Sequence, residues 1–210
     1  MHAAVDTLPL SLQMAAAAGF IANVIWAAWR APWRRLSAPA EQHRWFGATT
    51  AAVLLWRLDP GTVPALDVHL LGAAALVLLF GPQLALISLC LALMVAALAS
   101  GEGLAFVGLK GLLAVVVPVA ASVAIVRLAR RLLPAHPLGR AFGQGFIAGA
   151  VAPLTGGLAL LGTLGILDVY PMASLRQYFP YLFLLSWSEA ALTGLVLFLL
   201  ALDRFPPGEH

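Results

Sequence analysis

The stretch VHLLGAAALVLLFGPQLALISLCLALMVAALAS, residues 68–100, decides the fold class of this chain. It contains no Asp, Glu, Lys or Arg, so it lacks the side chains that would cover a surface facing water. Gly81 and Pro82 divide it, because proline has no amide hydrogen and interrupts a helix. We therefore interpret the stretch as two membrane-embedded helices joined by a tight turn.

The composition of the whole chain supports this interpretation. Of the 210 residues, 62% are hydrophobic and 10% are charged, whereas about a quarter of the residues in a soluble domain are charged. Seven apolar spans occur, at residues 10–29, 45–58, 67–81, 83–99, 105–127, 141–166 and 179–202. We predict an all-α integral membrane bundle of seven transmembrane helices.

The predicted bundle is a single membrane domain, 1–210, with an outer segment at 1–9, the helices at 10–203 and a cytoplasmic tail at 204–210. A full crossing needs about 20 residues, so the short second and third spans either thin the bilayer or form a re-entrant pair inside the bundle. In the first span small residues recur at helical spacing. This stripe indicates packing within the bundle or docking of a partner helix, and it consists of Ala15, Ala18, Gly19 and Ala22.

Basic residues orient the bundle, because Lys and Arg favour the cytoplasmic side of a membrane. With the N-terminus outside and the C-terminus cytoplasmic, nine of the twelve Lys and Arg residues lie inside: Arg30, Arg34, Arg35, Arg44, Arg127, Arg130, Arg131, Arg140 and Arg204. The outer face is then acidic and attracts cations; it carries Asp6, Asp59, Asp67, Glu102 and Asp168. We expect a multi-pass protein of the cell inner membrane.

Charge distribution and missing motifs exclude several function classes. The net charge is +3, but the arginines are spread between apolar spans and form no single basic patch, so we expect contact with the lipid bilayer and not with nucleic acid. The chain has no Gly-x-x-x-x-Gly-Lys-Ser/Thr run, no Gly-x-Ser-x-Gly elbow and no His-Glu-x-x-His pair. We therefore expect a transport protein without its own ATPase site, and not an enzyme.

The first two residues form a candidate metal chelate. The first ten residues lack the positive charge of a signal peptide, so we expect Met1 to keep its amine. That amine, the amide nitrogen of His2 and its imidazole can close adjacent chelate rings, and a square of nitrogens favours Cu(II) or Ni(II). A histidine at position two is by itself most often a solvated end of a chain.

His69 strengthens the hypothesis, because a histidine entering a membrane span is costly and tends to be functional. It either donates to a backbone carbonyl inside the bundle or supplies a fourth nitrogen to the metal. By the topology above, His2 and His69 lie on the same side of the membrane. Asp67 either orients His69 or is a solvated carboxylate. Glu189, inside the last span, either packs structurally or accepts a hydrogen bond near the metal.

Four segments resemble one known family in the same order along the chain. The chain is similar to the CbiM/NikM family in four segments: MH at 1–2 with DTLPL at 6–10, VHLLGAAALVLLFGPQLAL at 68–86, ASGEGLAFVGLKGLL at 99–113 and SEAALTG at 188–194. Members of that family are substrate-capture components of energy-coupling factor transporters for cobalt and nickel. The chain departs from the family at Lys110, where Asn is common, and in the loop before His69, which lacks the Gly-Thr-Ser-Gly run.

The resemblance implies a site and partners. The metal ligands would be the amine of Met1, the backbone and ring nitrogens of His2, and His69. The substrate would be a divalent transition metal, nickel or cobalt, with copper and zinc left open. Carboxylates expected around the ligands are Asp6, Asp67, Glu102 and Glu189. The implied partners are a membrane coupling (T) subunit, cytosolic ATPase subunits and, in some systems, a small auxiliary membrane subunit.

Two other functions remain open at this stage. The chain can act alone as a transporter or channel, with His69 and Glu189 lining a conduction path. It can also be a structural membrane protein without a substrate, in which His2 is incidental.

Overall fold

The computed structural model describes residues 9–57, 72–100, 104–133, 139–168 and 171–202, and every regular element in these ranges is helical. The α-helices are α1 (Leu10–Arg30), α2 (Pro39–Arg57), α3 (Ala73–Phe80), α4 (Pro82–Ser100), α5 (Leu104–Gly111), α6 (Val117–Leu132), α7 (Ile147–Ile166), α8 (Met172–Arg176) and α9 (Phe179–Leu202). A short 3-10 helix, Trp33–Ser37, links α1 to α2. The π-helical turn Leu112–Val116 joins α5 to α6 with helical backbone at both junctions, so the pair forms one continuous span.

Within the described ranges, five helices are long and apolar enough to cross a membrane: Leu10–Arg30, Pro82–Ala99, Val107–Leu132, Phe142–Ile166 and Ala173–Leu199. They coincide with the first, fourth, fifth, sixth and seventh predicted spans. The prediction of an all-α membrane bundle is therefore confirmed.

The helices of the two short spans differ from their predicted bounds: the second starts earlier than predicted, and the described part of the third is shorter. Helix α2 starts at Pro39, before the predicted start at residue 45, because a polar first turn with Glu41 precedes its apolar part. Helix α3 has eight described residues, which rise about 12 Å, less than half of the ~30 Å hydrocarbon core. The rest of the predicted third span, like residues 58–66, lies outside the described residues. Ala73 and Ala74 are fully buried, so α3 is an interior helix.

Successive spans run in alternating directions. Nη2 of Arg35, just after α1, donates to the carbonyl oxygen of Leu79 near the end of α3, at 3.2 Å. Arg127 and Arg130, near the end of α6, line one cavity together with Arg35. The ends of α1, α3 and α6 therefore meet at one end of the bundle, which we call the arginine end. Helices α2 and α4 start there and run to the opposite, distal end.

The last two long helices, α7 and α9, run antiparallel to each other. Gly143, in the π-helical turn Arg140–Phe146 before α7, approaches Leu133 at the end of α6, so α7 starts at the arginine end. Near its far end, Leu161 and Leu164 pack against Leu175 and Leu182. Helix α9 therefore starts at the distal end. The described segments thus alternate in direction, but α3, the described part of the third predicted span, covers only about 12 Å from the arginine end.

Glycines bring the helix backbones close together. A Cβ atom added to Gly108 of α5 would lie 2.7 Å from the Cα of Ala17 in α1. A Cβ added to Gly149 of α7 would lie 2.8 Å from the carbonyl oxygen of Glu189 in α9. Small residues allow such approach in lipid, where van der Waals packing between helices replaces the hydrophobic effect.

Most of the small-residue stripe of the first span does not pack within the bundle. Ala15, Ala18 and Ala22 are exposed, and the core-facing side of α1 carries Ala16, Phe20 and Ala27. Gly19 is half-buried, and a Cβ atom there would meet the side chain of Leu112 at 3.7 Å. The ring of Phe20 packs against α5, where Gly111 leaves room for it. Packing inside the bundle is therefore wrong for the three alanines and holds for Gly19 alone among the four stripe residues.

A pair of glycine substitutions in α7 tests the close approach. We expect Gly149→Ala to lower the thermal stability by an overpacking cost of about 1–3 kcal/mol, because the new methyl group meets the backbone of α9. Gly162→Ala is the matched control, since a Cβ there meets nothing within 4 Å. Both changes gain the same helix propensity, so thermal unfolding in detergent isolates the contact. Equal unfolding temperatures for the two variants would contradict the packing.

Candidate functional site

Most of the predicted site lies outside the described residues. This applies to Met1, His2, Asp6, Asp67, His69 and Glu102, and only Glu189 falls within the described ranges. Among the residues that the structure does describe, no group of three or more His, Cys, Asp or Glu side chains is placed to hold a metal ion. The predicted ligand set therefore stays a prediction.

Three segments that carry predicted ligands and carboxylates are each attached to a helix at the distal end. Segment 1–8 leads to α1, which starts at the distal end. Segment 58–71 leaves α2 at Arg57, which also lies at the distal end because α2 starts beside Arg35, and it leads to Gly72 at the start of α3, about 12 Å from the arginine end. Segment 101–103 connects α4, which ends at the distal end, to α5. Glu189 is carried by α9 and not by any of these segments.

Helices α1 and α5 meet closely just below these attachments. Ala17 and Phe20 of α1 face Gly108 and Gly111 of α5, and the residue numbers rise together, so the two helices run parallel. Ala16 and Leu109 form a small buried cluster with Leu113 and Leu167 around them. This cluster fixes the start of α1, which follows His2 and Asp6, against the start of α5, which follows Glu102.

Lys110 lies inside this part of the bundle. Only 5% of the residue is exposed, and it sits between the two glycines of α5 that contact α1. A charged side chain is costly inside a membrane protein, so a buried lysine here is a candidate for a functional or pairing role. Lys110 is one of the two places at which the sequence departs from the CbiM/NikM pattern.

Glu189 occupies the middle of α9 and faces inward. It is 1% exposed, and Ser186 and Thr193 on the same helix face are also buried. Its backbone packs on Gly149, so this face is turned toward α7. Ser186 Oγ donates to the carbonyl oxygen of Leu182 at 2.7 Å. Glu189 lies about 15 Å along the helix from Phe179, at 1.5 Å per residue, so it belongs to the bundle interior and not to the distal rim.

The arginine end holds an ionic cluster that the sequence did not predict. Glu41 Oε2 accepts a hydrogen bond from Nε of Arg35 at 2.8 Å, and Oε1 accepts one from Nη1 of Arg44 at 3.1 Å. The bond from Arg35, together with the charges of both guanidinium groups, holds the pKa of Glu41 below its usual range. The three-residue spacing of Glu41 and Arg44 is a sequence signal for half of the cluster; the Arg35 contact depends on the turn at Trp33–Ser37.

Sequence comparison assigns the family. Residues 2–205 match the CbiM family, described as the cobalt uptake substrate-specific transmembrane region. The chain belongs to the CbiM family. No curated protein matches the sequence significantly.

Two solved structures share the fold. One, a truncated transition metal transporter, has a TM-score of 0.68 at 22% identity, with 93% of this chain and 96% of that chain covered. The other, a transition metal transporter, has a TM-score of 0.65 at 22% identity, covering 95% and 92%. Together with the apolar spans, CbiM membership makes this chain a multi-pass transmembrane component of cobalt-type metal uptake, and not an enzyme.

The α1–α5 contact gives a prediction about metal binding. We expect Gly108→Ala to weaken cobalt binding at least about tenfold, because the new methyl group displaces the backbone of α1, on which the segment 1–8 is carried. Isothermal titration of the purified protein measures this. Gly47→Ala in α2 is the control, since a Cβ there meets nothing within 4 Å. Unchanged cobalt affinity in the folded Gly108→Ala protein would show that the position of α1 does not govern the site.

Proposed function

We propose that this chain is the substrate-capture subunit of an energy-coupling factor transporter and binds nickel or cobalt for import. The amine of Met1, the backbone and ring nitrogens of His2, and a ring nitrogen of His69 are the proposed ligands. The observation that supports this proposal is membership of the CbiM family over residues 2–205; the segments 1–8, 58–71 and 101–103 each adjoin a helix end at the distal end of the bundle.

The proposed chemistry follows from the donor set. Nitrogen donors suit late divalent transition metals, and affinity for a given set rises from cobalt to nickel to copper before falling at zinc. Deprotonation of the amide nitrogen of His2 would release a proton on binding, so affinity should rise with pH. We propose that Asp6, Asp67 and Glu102, which belong to the same three segments, accept hydrogen bonds from ligand N–H groups. Glu189 we assign to packing within the bundle, because its helix position is remote from the distal rim.

Orientation is part of the proposal. We place the distal end outside and the arginine end in the cytoplasm, because the described basic residues Arg30, Arg34, Arg35, Arg44, Arg127, Arg130 and Arg131 cluster toward the latter. The membrane is then the cell inner membrane. An acidic distal end outside the cell raises the local concentration of cations near the proposed ligands.

Import needs energy that this chain does not supply through a phosphate-binding loop of the Walker type. We propose a membrane coupling subunit and cytosolic ATPase subunits as partners, with a small auxiliary membrane subunit in some systems. The outward stripe of Ala15, Ala18 and Ala22 on α1 suits close approach by a partner helix. The shared fold of two proteins named as transition metal transporters agrees with this function.

Metal titration of purified protein tests the ligand assignment. We expect His2→Ala to weaken nickel binding by more than about 100-fold, because it removes a direct ligand and even residues that only orient ligands contribute 10–100-fold. One residue added before Met1 should have a comparable effect, since it displaces the amine and keeps every side chain. His43→Ala, at an exposed position near the arginine end, is the matched control.

The outcomes separate the alternatives. Wild-type affinity in the extended protein would remove the amine from the ligand set. Wild-type affinity in both His2→Ala and His69→Ala would overturn the site as a whole and favour a structural protein. Nickel uptake into liposomes by the chain without any ATPase subunit would overturn the partnership and favour a transporter that acts alone.

A further inference from the structure

A basic cavity opens at the arginine end of the bundle. Its volume is about 360 Å³, within the range of about 300–1,000 Å³ that small-ligand sites occupy. Arg35, Arg127 and Arg130 line it, and the turn at Gly81 and Pro82 forms part of its wall. Three arginines from two parts of the chain, the α1–α2 connection and α6, thus line one space.

One of these arginines is held in place by other groups. Arg35 donates to Glu41 through Nε and to the carbonyl oxygen of Leu79 through Nη2, so its guanidinium is fixed across the end of α3. A cation is favoured there, because the C-terminal end of a helix carries partial negative charge. Glu41 is shared between Arg35 and Arg44, so positive charge is in excess around the cavity.

The other two arginines are available for a ligand. Arg127 and Arg130 are three residues apart on α6, so they share a helix face. Both are exposed, and no described residue forms an ion pair with either of them. A planar guanidinium matches phosphate with two parallel N–H bonds, so the pair is suited to a phosphate group that enters the cavity.

The surroundings place this cavity at the level of lipid headgroups. Trp29 and Trp33 are 84% and 48% exposed, and they precede Arg35 at the end of the first span. Tryptophan is enriched at the membrane–water interface, where its ring meets both phases. Leu128 and Leu132 beside the arginines of α6 are 50% and 71% exposed, which provides an apolar wall for an acyl chain.

We propose that Arg35, Arg127 and Arg130 form a binding site for the phosphate of an anionic phospholipid. Basic pockets between transmembrane helices on the cytoplasmic side recognise such headgroups. The bound lipid would bridge the α1–α2 connection, the α3–α4 turn and the end of α6. It would thereby add to the hydrogen bond from Arg35 to Leu79, which already joins the α1–α2 connection to α3, and it would tie the end of α6 to both.

Lipid titration of the full-length protein in a neutral detergent tests the proposal. We expect phosphatidylglycerol to raise the unfolding temperature and phosphatidylcholine, which carries a phosphate but no net charge, to raise it much less. In the double variant Arg127→Gln and Arg130→Gln, the affinity for phosphatidylglycerol should fall at least about tenfold. Arg131→Gln is the matched control, because this exposed arginine lies on the same helix and does not line the cavity.

Four outcomes would overturn the assignment. Wild-type lipid affinity in the double variant would exclude the cavity as the site. An equal loss in Arg131→Gln would show diffuse attraction to the charged surface. The full shift with inorganic phosphate, without further gain from phosphatidylglycerol, would place a free anion in the cavity. Loss of transporter assembly in the double variant, with no lipid effect in the wild type, would identify the arginines as a contact to a partner protein.

Discussion

Close contact between helix backbones at glycine is the constraint on which the rest of this structure depends. In lipid, helices gain little by hiding apolar side chains, so van der Waals packing must hold them together. Gly108 contacts Ala17 of α1, and Gly149 contacts Glu189 and Ala190 of α9. At both glycines the space is smaller than a methyl group needs. These contacts set the position of α1 at the distal end and turn the polar face of α9 inward. The first contact bears on the segment 1–8, which carries the proposed ligands Met1 and His2, and the second bears on the packing of the bundle interior.

The sequence predicted the fold class well because hydropathy and helix-breaking residues are local features of the chain. Five long spans were predicted near their observed bounds, and the break at Gly81 and Pro82 marks the α3–α4 turn. It did not predict which face of α1 is buried, because the small residues at Ala15, Ala18 and Ala22 give the same spacing signal whether they meet a helix or lie on the outside. That choice is made by Gly111 in a distant segment, which accommodates Phe20. A single sequence does not reveal such pairing.

The candidate site likewise combines local sequence signals, which were predicted, with tertiary contacts, which were not. Histidine near the head of a span and a carboxylate within a span are local signals, and they led to His69 and Glu189. Burial of Glu189 beside Ser186 and Thr193 is a tertiary property that the sequence pattern does not reveal. The Arg35–Glu41 contact depends on how Trp33–Ser37 turns the chain, which hydropathy does not encode. The ligand assignment itself depends on the family pattern, and it stays a prediction.

The eight residues of α3 give the segment that contains His69 a short connection to the arginine end. The segment containing His69 leads directly into α3, and the carbonyl oxygen of Leu79 near the other end of α3 accepts a hydrogen bond from Arg35. Ala73, Ala74, Leu76 and Val77 are buried, so α3 is enclosed by its neighbours and does not slide in lipid. A rigid helix of about 12 Å thus separates the proposed ligand segment from the arginine end. Since α1 likewise starts after His2 and leads to Arg35, both proposed ligand segments are connected through one helix each to the same guanidinium group. A change that reorients Arg35 would therefore act on α1 and α3 together, which a longer or exposed third helix would not allow.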